Sequence, residues 1–409
     1  MIKNRDLTDR FIRYAKIDTQ SDEDAAEQPT TAKQKNLAEL LVRELEELGA
    51  EVDYDEEHCY VYAGIPAAGT KFRDRKALGL ISHMDTSPAV SGADVKPRII
   101  ENYRGEDPIL KTEEFPELKN HIGEDLIATD GTTLLGADDK AGVSEIMNLV
   151  QYFHDHPEEE HCEIRIAFTP DEETGRGTEH FDAARFRAKE GYTVDGGKFG
   201  VLEYECFNAA GAKVRFSGKN VHTGDAKNTM INACLLAMEF ESMLPPAERP
   251  EHTEGYEGFY HLDRMSGNVE KAVLQYIIRD HDRSAFESRK QTFRDIADYM
   301  NRKYAAAGSG SGEAVTLEMH DQYFNMAEII RCHMDLVSNV ERVLRDMGEE
   351  AVIRPIRGGT DGSVLSFRGI PCPNLCTGGY NYHSRFEYAS IQEMEKTAEL
   401  LIRLVKMEE

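Results

Sequence analysis

A short unbroken apolar run, ALGLIS at 77–82, constrains the fold more than any other feature of this chain. A run of this length without alternation is typical of a strand buried on both faces of a sheet. Further strands are predicted at 164–168 and 192–194, and apolar residues at helical spacing over 143–153 predict a helix between the first two. Because strands alternate with helices, the sequence predicts an α/β fold, a mostly parallel sheet with flanking helices.

The middle of the chain, 209–321, has a different pattern and is predicted to be an inserted, smaller α+β domain. Two helical patterns lie within it, at 229–243 and 284–304. Near its far edge, a Gly/Ser stretch at 308–312 is typical of a hairpin or surface loop. The main domain is therefore predicted to consist of 1–208 plus 322–409.

Charge and cysteine usage exclude several classes of protein. The chain has 409 residues, with 48 Lys and Arg against 75 Asp and Glu, so its formal charge is −27. Nucleic-acid binders need a basic surface to release counterions, and this balance argues against such a partner. No window approaches the ~18 apolar residues of a membrane span, and 1–13 lacks the apolar core of a signal peptide. The seven cysteines are scattered, without a Cys-x-x-Cys pair, so we expect reduced thiols and a cytoplasmic protein.

Acidic residues and histidines occur where the predicted strands end and where the predicted helix begins. They are His83, Asp85, Asp138, Asp139, Asp171, Glu172, Glu173, Asp195 and His383. Each one alone has an ordinary explanation, such as a helix cap or a solvated turn. However, the carboxyl ends of parallel strands share one edge of a sheet, where ligand sites lie. Several acids delivered to one edge repel each other unless a cation compensates them.

A subset of these side chains has the composition of a metal site. It comprises His83, Asp138, Glu173, Asp195 and His383. Two neutral imidazoles and three carboxylates nearly balance two divalent metals bridged by a hydroxide, and nitrogen and oxygen ligands without Cys suit zinc, cobalt or manganese. Such a pair of metals lowers the pKa of a shared water toward ~7. Glu172, left over from this count, is placed to take the proton of that water and pass it to a leaving amine.

The sequence resembles the dizinc M20 metallopeptidases, and within them the branch of tripeptide aminopeptidases. The resemblance is carried by SHMDT at 82–86, TDGTTLLGADDKAG at 129–142, AFTPDEETG at 167–175, YTVDGG at 192–197, PIRGGTDGS at 355–363 and CTGGYNYHSRFE at 376–387. TEGYEGFYHL at 253–262 and YIIRDHDR at 276–283 fit the same branch. The resemblance implies a zinc exopeptidase-like catalytic domain, with the insert as a lid.

The resemblance also implies a ligand set and a cofactor. His83 and Asp195 are expected to bind one metal, and Glu173 and His383 the other. Asp138 is expected to bridge them. The implied cofactor is two Zn²⁺ per subunit, with Co²⁺ or Mn²⁺ as substitutes.

Further roles are implied around these ligands. Asp138 rather than Asp139 is assigned as the bridge because the family's ligand stands two residues before a lysine, here Lys140. Asp85 is expected to orient the first histidine, and Glu172 is expected to be the general base. The resemblance further implies a cis peptide bond between Asp138 and Asp139.

A tripeptidase must read both ends of a short substrate, and a free carboxylate is best bound by Arg or backbone N–H groups. Asn220, His222, Arg279 and Arg357 are the candidates. In dimeric M20 relatives, the histidine matching His222 stabilises the tetrahedral oxyanion, sometimes from the partner subunit. Thr223 stands where the family usually has Pro, so the resemblance does not fix the geometry of this loop. The implied partners are a small peptide and, through the lid domain, a second copy of the chain.

Three other functions compete with the aminopeptidase. The nearest is an M20-type dizinc hydrolase of another small amide, such as an N-acyl amino acid or a dipeptide. A metal-free enzyme could use Glu172 and Asp138 as acid and base, as in glycoside hydrolysis, but this leaves two histidines and two acids unexplained. A non-catalytic protein with the same fold would lack a ligand or the base, and the sequence lacks none of them.

Overall fold

The computed structural model describes residues 5–72, 75–305 and 313–407. Contacts between residues divide the chain into two compact units. The larger unit comprises Met1–Tyr204, Met326–Arg354 and Thr360–Glu409, and the insert comprises Glu205–Asn325 and Pro355–Gly359. The predicted insert at 209–321 lies within the second unit. The loop predicted at 308–312 lies outside the described residues.

The described part of the chain alternates strands and helices. The strands are β1 (Glu51–Asp55), β2 (Tyr60–Ile65), β3 (Leu78–His83), β4 (Arg98–Ile100), β5 (Leu126–Ala128), β6 (Ile164–Thr169), β7 (Gly191–Gly196), β8 (Val201–Glu203), β9 (Asn208–Ser217), β10 (Phe259–Gly267), β11 (Lys271–Asp280), β12 (Val315–Tyr323), β13 (Val352–Ile353), β14 (Asn374–Cys376), β15 (Gly379–Tyr380) and β16 (Tyr388–Ser390). The α-helices are α1 (Arg5–Ala15), α2 (Lys35–Glu47), α3 (Ala137–Asp155), α4 (Ala183–Phe186), α5 (Ala233–Ser242), α6 (Arg283–Ala305), α7 (Ala327–Ile330), α8 (Met334–Asp346), α9 (Asp361–Phe367) and α10 (Ile391–Val405). Within the described ranges, none of these helices has the length and apolar character needed to cross a membrane.

The larger unit is built on a sheet with the strand order β1-β2-β6-β3-β7-β14-β8-β13. Its four central strands, β6, β3, β7 and β14, run parallel to one another. The runs predicted at 77–82, 164–168 and 192–194 are β3, β6 and β7, so the prediction of a mostly parallel α/β sheet is confirmed. Because the central strands are parallel, their carboxyl ends lie at the same edge of the sheet.

Helix α3 packs on this sheet against β3 and β7. A Cβ atom on Gly142 of α3 would lie only 1.9 Å from the carbonyl oxygen of Val194 in β7, so the close approach requires glycine here. Val143 of α3 and Val194 of β7 are both fully buried. This packing brings the first turn of α3 close to the carboxyl end of β7.

The insert has its own antiparallel sheet, with the strand order β10-β11-β9-β12. Helices α5 and α6, predicted at 229–243 and 284–304, pack on this sheet around Phe216, Phe240 and Phe293. Strands β10 and β12 are not among the predicted elements, and both carry mainly exposed or half-buried residues. The insert therefore has a separate hydrophobic core.

Candidate metal centre

The carboxyl ends of the four parallel strands carry most of the predicted site residues. His83 is the last residue of β3, and Asp195 is the penultimate residue of β7. A 3-10 turn at Glu172–Thr174 follows β6, and the segment that follows β14 contains His383. The fifth predicted ligand, Asp138, lies at the start of α3. The topology therefore delivers all five predicted ligands to one edge of the sheet.

His83 is buried, and its two ring nitrogens face different groups. Nε2 lies 2.9 Å from Oδ1 of Asp138 and 3.5 Å from Oδ1 of Asp195. Nδ1 lies 3.2 Å from Oδ1 of Asp85 and 3.1 Å from its carbonyl oxygen. One nitrogen is thus fixed by Asp85 while the other is directed at carboxylates, which is how metal-binding histidines are oriented in proteins.

Asp138 lies between the two predicted histidine ligands. Its Oδ1 is 2.9 Å from Nε2 of His83, and its Oδ2 is 3.0 Å from Nε2 of His383. Nε2 of His383 also lies 2.9 Å from Oε2 of Glu173. The two carboxylate oxygens of Asp138 therefore face different imidazoles, the position that a ligand shared by two metals must occupy. The peptide bond between Asp138 and Asp139 is cis, as the resemblance implies.

Asp85 contacts the turn after β6 as well as the ring of His83. Its Oδ1 accepts a hydrogen bond from the backbone N–H of Glu172 at 3.0 Å, and its Oδ2 accepts one from that of Glu173 at 3.2 Å. Asp85 is completely buried. A single carboxylate therefore positions His83 together with the turn that carries the predicted base and one predicted ligand.

The pKa values in this cluster are strongly perturbed. Burial, with a contribution from Asp138, raises the pKa of Glu173 to about 8 and that of Asp195 to about 7, although the histidines oppose both shifts. Burial alone would lower the pKa of His383, but Asp138 and Glu173 outweigh it and raise the pKa to about 11. For Asp138 burial opposes ionisation, yet the two histidines outweigh it and lower its pKa. In the absence of a cation, bound protons therefore balance part of the negative charge of this cluster.

The donor set fits a metal cofactor. Oε1 of Glu173 is buried and has no hydrogen-bond partner among the described residues, a costly state for a carboxylate oxygen. Ligand atoms of His83, Asp138 and Glu173 lie within 4.8 Å of one another, as do those of His83, Asp139 and Asp195. Imidazole nitrogens and carboxylate oxygens are ligands that zinc and manganese accept.

Asp139 has a contact that the sequence did not indicate. Its Oδ2 accepts hydrogen bonds from the backbone N–H of His83 at 3.1 Å and from the hydroxyl of Ser82. Asp139 therefore connects the start of α3 to the end of β3. Asp138 and Asp139 have non-helical backbone angles near the start of α3, and their side chains contact His83, His383 and Ser82 instead of capping the helix.

Two more buried acids near these strand ends have structural partners. Asp171, the first acid after β6, accepts hydrogen bonds from the backbone N–H of Thr30 at 2.9 Å and from Nε2 of Gln34 at 2.6 Å. Asp361 accepts a hydrogen bond from the hydroxyl of Thr169 at 2.7 Å, and burial raises its pKa to about 6. Asp361 belongs to the motif at 355–363, so the sequence marked this segment without assigning the residue a role.

The predicted substrate residues lie in the insert and not in the unit that holds the candidate metal centre. Asn220 and His222 are exposed in the loop after β9, and Nδ1 of His222 accepts the N–H of Gly224 at 3.2 Å. Arg279, on β11, donates to two backbone carbonyls at 3.0 and 3.3 Å, and its guanidinium carbon lies 5.5 Å from the ring centroid of Tyr323.

Arg357 is bound within the insert by the segment 253–257. Its Nη1 donates to the carbonyl oxygens of Gly255 at 2.7 Å and Glu257 at 3.1 Å. Its Nη2 donates to the hydroxyl of Thr253 at 3.1 Å. These bonds occupy both terminal nitrogens, so Arg357 has a structural role whether or not it also contacts a substrate.

Comparisons with known proteins indicate which family the chain resembles. Residues 204–307 match a family described as the peptidase dimerisation domain. Peptidase T of Caldanaerobacter subterraneus subsp. tengcongensis is 50% identical over 412 residues, and the match covers 98% of each chain.

Solved structures share the fold. The aminopeptidase PepT of Bacillus cereus has a TM-score of 0.76 at 22% identity, and a tripeptidase of Staphylococcus aureus has a TM-score of 0.77 at 20% identity; each match covers 99% of this chain and 98% of the other. A dinuclear metal-binding peptidase of the M20 family from Bacillus subtilis has a TM-score of 0.62 at 12% identity, with 98% of both chains covered. The fold is thus that of the M20 peptidases.

Identity of about one half over nearly the whole chain is much more specific than a shared fold. The chain belongs to the peptidase T family. It is therefore an enzyme, a peptide hydrolase of the metallo-aminopeptidase class, and it uses a metal cofactor.

Proposed function

We propose that the protein removes the N-terminal residue of tripeptides with the help of two zinc ions. The proposed ligands are His83, Asp138, Glu173, Asp195 and His383. The observation that carries this proposal is the position of Asp138, whose two oxygens lie 2.9 and 3.0 Å from the Nε2 atoms of the two histidines. When bound, the metals would supply a water acidic enough to ionise near neutral pH.

Glu172 is the proposed general base. Its backbone N–H is held by Asp85, the carboxylate that also contacts the ring of His83, so base and ligands share one support. Burial and the charge of Asp195 raise the pKa of Glu172 well above its usual range. Such a carboxylate can take a proton from an attacking water and deliver it to the leaving amine. Asp85 is proposed to act only by orienting its neighbours.

Arg279 is the proposed ligand for the substrate carboxylate, and a planar guanidinium can bind a carboxylate through two N–H groups. Arg279 donates two hydrogen bonds within the insert. Arg357 donates more, all to the segment 253–257, and is therefore less available to a substrate. We expect Arg279→Met to lower kcat/KM for tripeptides strongly, and unchanged kinetics would remove Arg279 from this role. Asn220 and His222 remain candidates for contacts to the substrate or to the oxyanion.

The insert is also proposed to form a homodimer interface, because residues 204–307 match the peptidase dimerisation domain. A reducing, cytoplasmic location is proposed as well. It is supported by seven cysteines that are all free.

Product analysis on a small peptide panel tests the proposed reaction. We expect the zinc-loaded protein to release the N-terminal residue from tripeptides and to act poorly on dipeptides and on N-acylated peptides. Release of the C-terminal residue, or activity restricted to N-acylated substrates, would instead support the other small-amide hydrolases of the M20 type. The Glu172→Gln variant, assayed in parallel, controls for contaminating peptidases.

A further inference from the structure

A buried carboxylate outside the proposed ligand set holds the backbone that precedes the bridging ligand. Oε2 of Glu387 accepts the backbone N–H groups of Leu135 at 2.7 Å and Gly136 at 2.8 Å. Its Oε1 accepts the N–H of Asp138 at 3.0 Å. Glu387 is 2% exposed. One carboxylate therefore collects three N–H groups from a four-residue stretch.

Backbone N–H groups, and not a basic side chain, bind the carboxylate of Glu387. Among the described residues, no Lys or Arg forms a salt bridge with it, and the three N–H dipoles are its direct partners. Convergent backbone N–H groups form an anion-binding concavity, and hydrogen bonds to a charged acceptor are stronger than neutral ones. Gly136 contributes the required turn, with a φ of 79° that other residues rarely adopt.

Glu387 also connects two segments that carry proposed ligands. It lies four residues after His383 and directly before β16, which pairs with β5. On the other side, its hydrogen bonds reach the turn that leads into Asp138. The segment with the second histidine and the segment with the bridging carboxylate are thus fastened together through one side chain.

We propose that Glu387 is a positioning residue that fixes the backbone of 135–138, so that Asp138 faces both histidines before any metal binds. The inference rests on the proposed dinuclear centre, but the contact itself does not require a metal. An amide at this position cannot accept all three bonds, because its NH₂ group would face an N–H donor. Glu387→Gln should therefore loosen this turn and weaken metal binding, without removing a ligand or the base.

Hydrogen exchange of the chelator-stripped protein tests the contact without a metal. In Glu387→Gln, peptides that cover 134–140 should lose protection, while peptides from β3 and β6 keep theirs. The matched control is Glu399→Gln, which removes an exposed carboxylate paired with Arg403 on α10. The control should match the wild type throughout.

Zinc titration and kinetics test the consequence. Loss of a residue that orients a ligand typically costs 10–100-fold in metal affinity, so we expect a zinc Kd raised about that much in Glu387→Gln. Excess zinc should restore much of its kcat, whereas it should not rescue Glu172→Gln. Unchanged protection at 134–140 together with an unchanged zinc Kd would overturn the inference.

The two proposals fail in different ways. If the wild type binds fewer than about one zinc per chain, the dinuclear centre is wrong, while the exchange experiment still decides whether Glu387 holds the turn. If Glu387→Gln does not fold, Glu387→Asp replaces it, since it keeps the charge and shortens the reach. That variant should show partial loss of protection and a weakened zinc Kd, and wild-type values for both would overturn the inference.

Discussion

The insert and the acidic cluster at the sheet edge of the larger unit differ in how buried charge is balanced. In the insert, Asp280 is 5% exposed and lies 2.7 Å from Nε of Arg289, and Lys290 lies 2.7 Å from Oδ1 of Asp321. Each buried charge there has an opposite charge on a neighbouring element. In the larger unit, by contrast, burial and mutual repulsion raise the pKa values of Glu173 and Asp195 into the neutral range.

The difference teaches where to look for function in a very acidic chain. The net charge of −27 does not locate a functional site in either unit, since most of the acidic side chains are exposed or half-buried. The two regions differ in whether basic side chains of the protein balance the charge of the buried acids. In the insert, arginine and lysine provide this balance. The larger unit contains a cluster of acids whose charge a pair of cations would balance.

The largest expected effect comes from replacing the proposed general base while the proposed metal ligands stay in place. Glu172→Gln should lower kcat by about 10²–10⁴, the usual contribution of a general base, with zinc content unchanged. Glu179→Gln is the matched control, because Glu179 lies on the same segment, is exposed and pairs only with Arg176 in the described structure. Steady-state kinetics with metal analysis would contradict the assignment if Glu172→Gln kept wild-type kcat.

A second substitution removes one member of a buried ion pair in the insert. Asp280→Asn removes the buried carboxylate that pairs with Nε of Arg289, while Glu248 still pairs with Nη1 of the same arginine. The free energy of unfolding should therefore fall by about 2 kcal/mol, the value of one charge-assisted hydrogen bond. Zinc stoichiometry should not change, because this ion pair belongs to the insert alone. Denaturant unfolding and metal analysis check both statements, and a stability loss below about 0.5 kcal/mol would show that the pair is not needed.

The pH dependence of stability sharpens the comparison. The pKa values of Asp195 and Glu173, about 7 and about 8, lie above those of an unfolded chain, so the folded metal-free protein binds more protons. Stability from these groups is therefore fully present below about pH 4, the pKa of an unfolded carboxyl group. It is lost as the pH rises from there through 7 and 8, by about 1.4 kcal/mol per pH unit for each extra proton. Zinc displaces the protons, so saturating zinc should flatten this slope.

Thermal unfolding between pH 6 and 8.5, with and without zinc, measures that slope directly. We expect the Tm of the chelator-treated protein to fall across this range, and the Tm of the zinc-loaded protein to fall less. Equal slopes in both samples would mean that the perturbed carboxylates do not bind the metal.

The smallest effect concerns a charge pair at the surface. Arg403 and Glu399 are four residues apart on α10 and exposed. Removing this pair with Glu399→Gln should cost only about 0.3–0.5 kcal/mol, and added salt should reduce the difference. A loss above about 2 kcal/mol in chemical unfolding would show that exposed pairs in this protein matter as much as the buried pair of Asp280.

Sequence reasoning found β3 because burial on both faces leaves an unbroken apolar run. It found β6 from apolar residues at alternate positions, and β7 from the short stretch at 192–194. It did not find β10 and β12, whose mostly exposed faces leave no such run. The acids at strand ends and the family motifs together indicated the candidate ligands. The role of Glu387 was not predicted, because its partners are backbone N–H groups, which leave no complementary side chain in the sequence. The role of Asp139 was not predicted either, because its partners are a backbone N–H and the hydroxyl of Ser82, a residue that carries no charge.

The central claim is that the acids and histidines at the edge of the sheet form a dinuclear metal site. Calorimetric titration of zinc into the chelator-stripped protein, in buffers of different ionisation enthalpy, measures stoichiometry and proton release together. We predict two zinc ions per chain with release of protons, and loss of this binding in Asp138→Asn. Binding of fewer than about one zinc per chain, or equal binding by Asp138→Asn, would contradict the account.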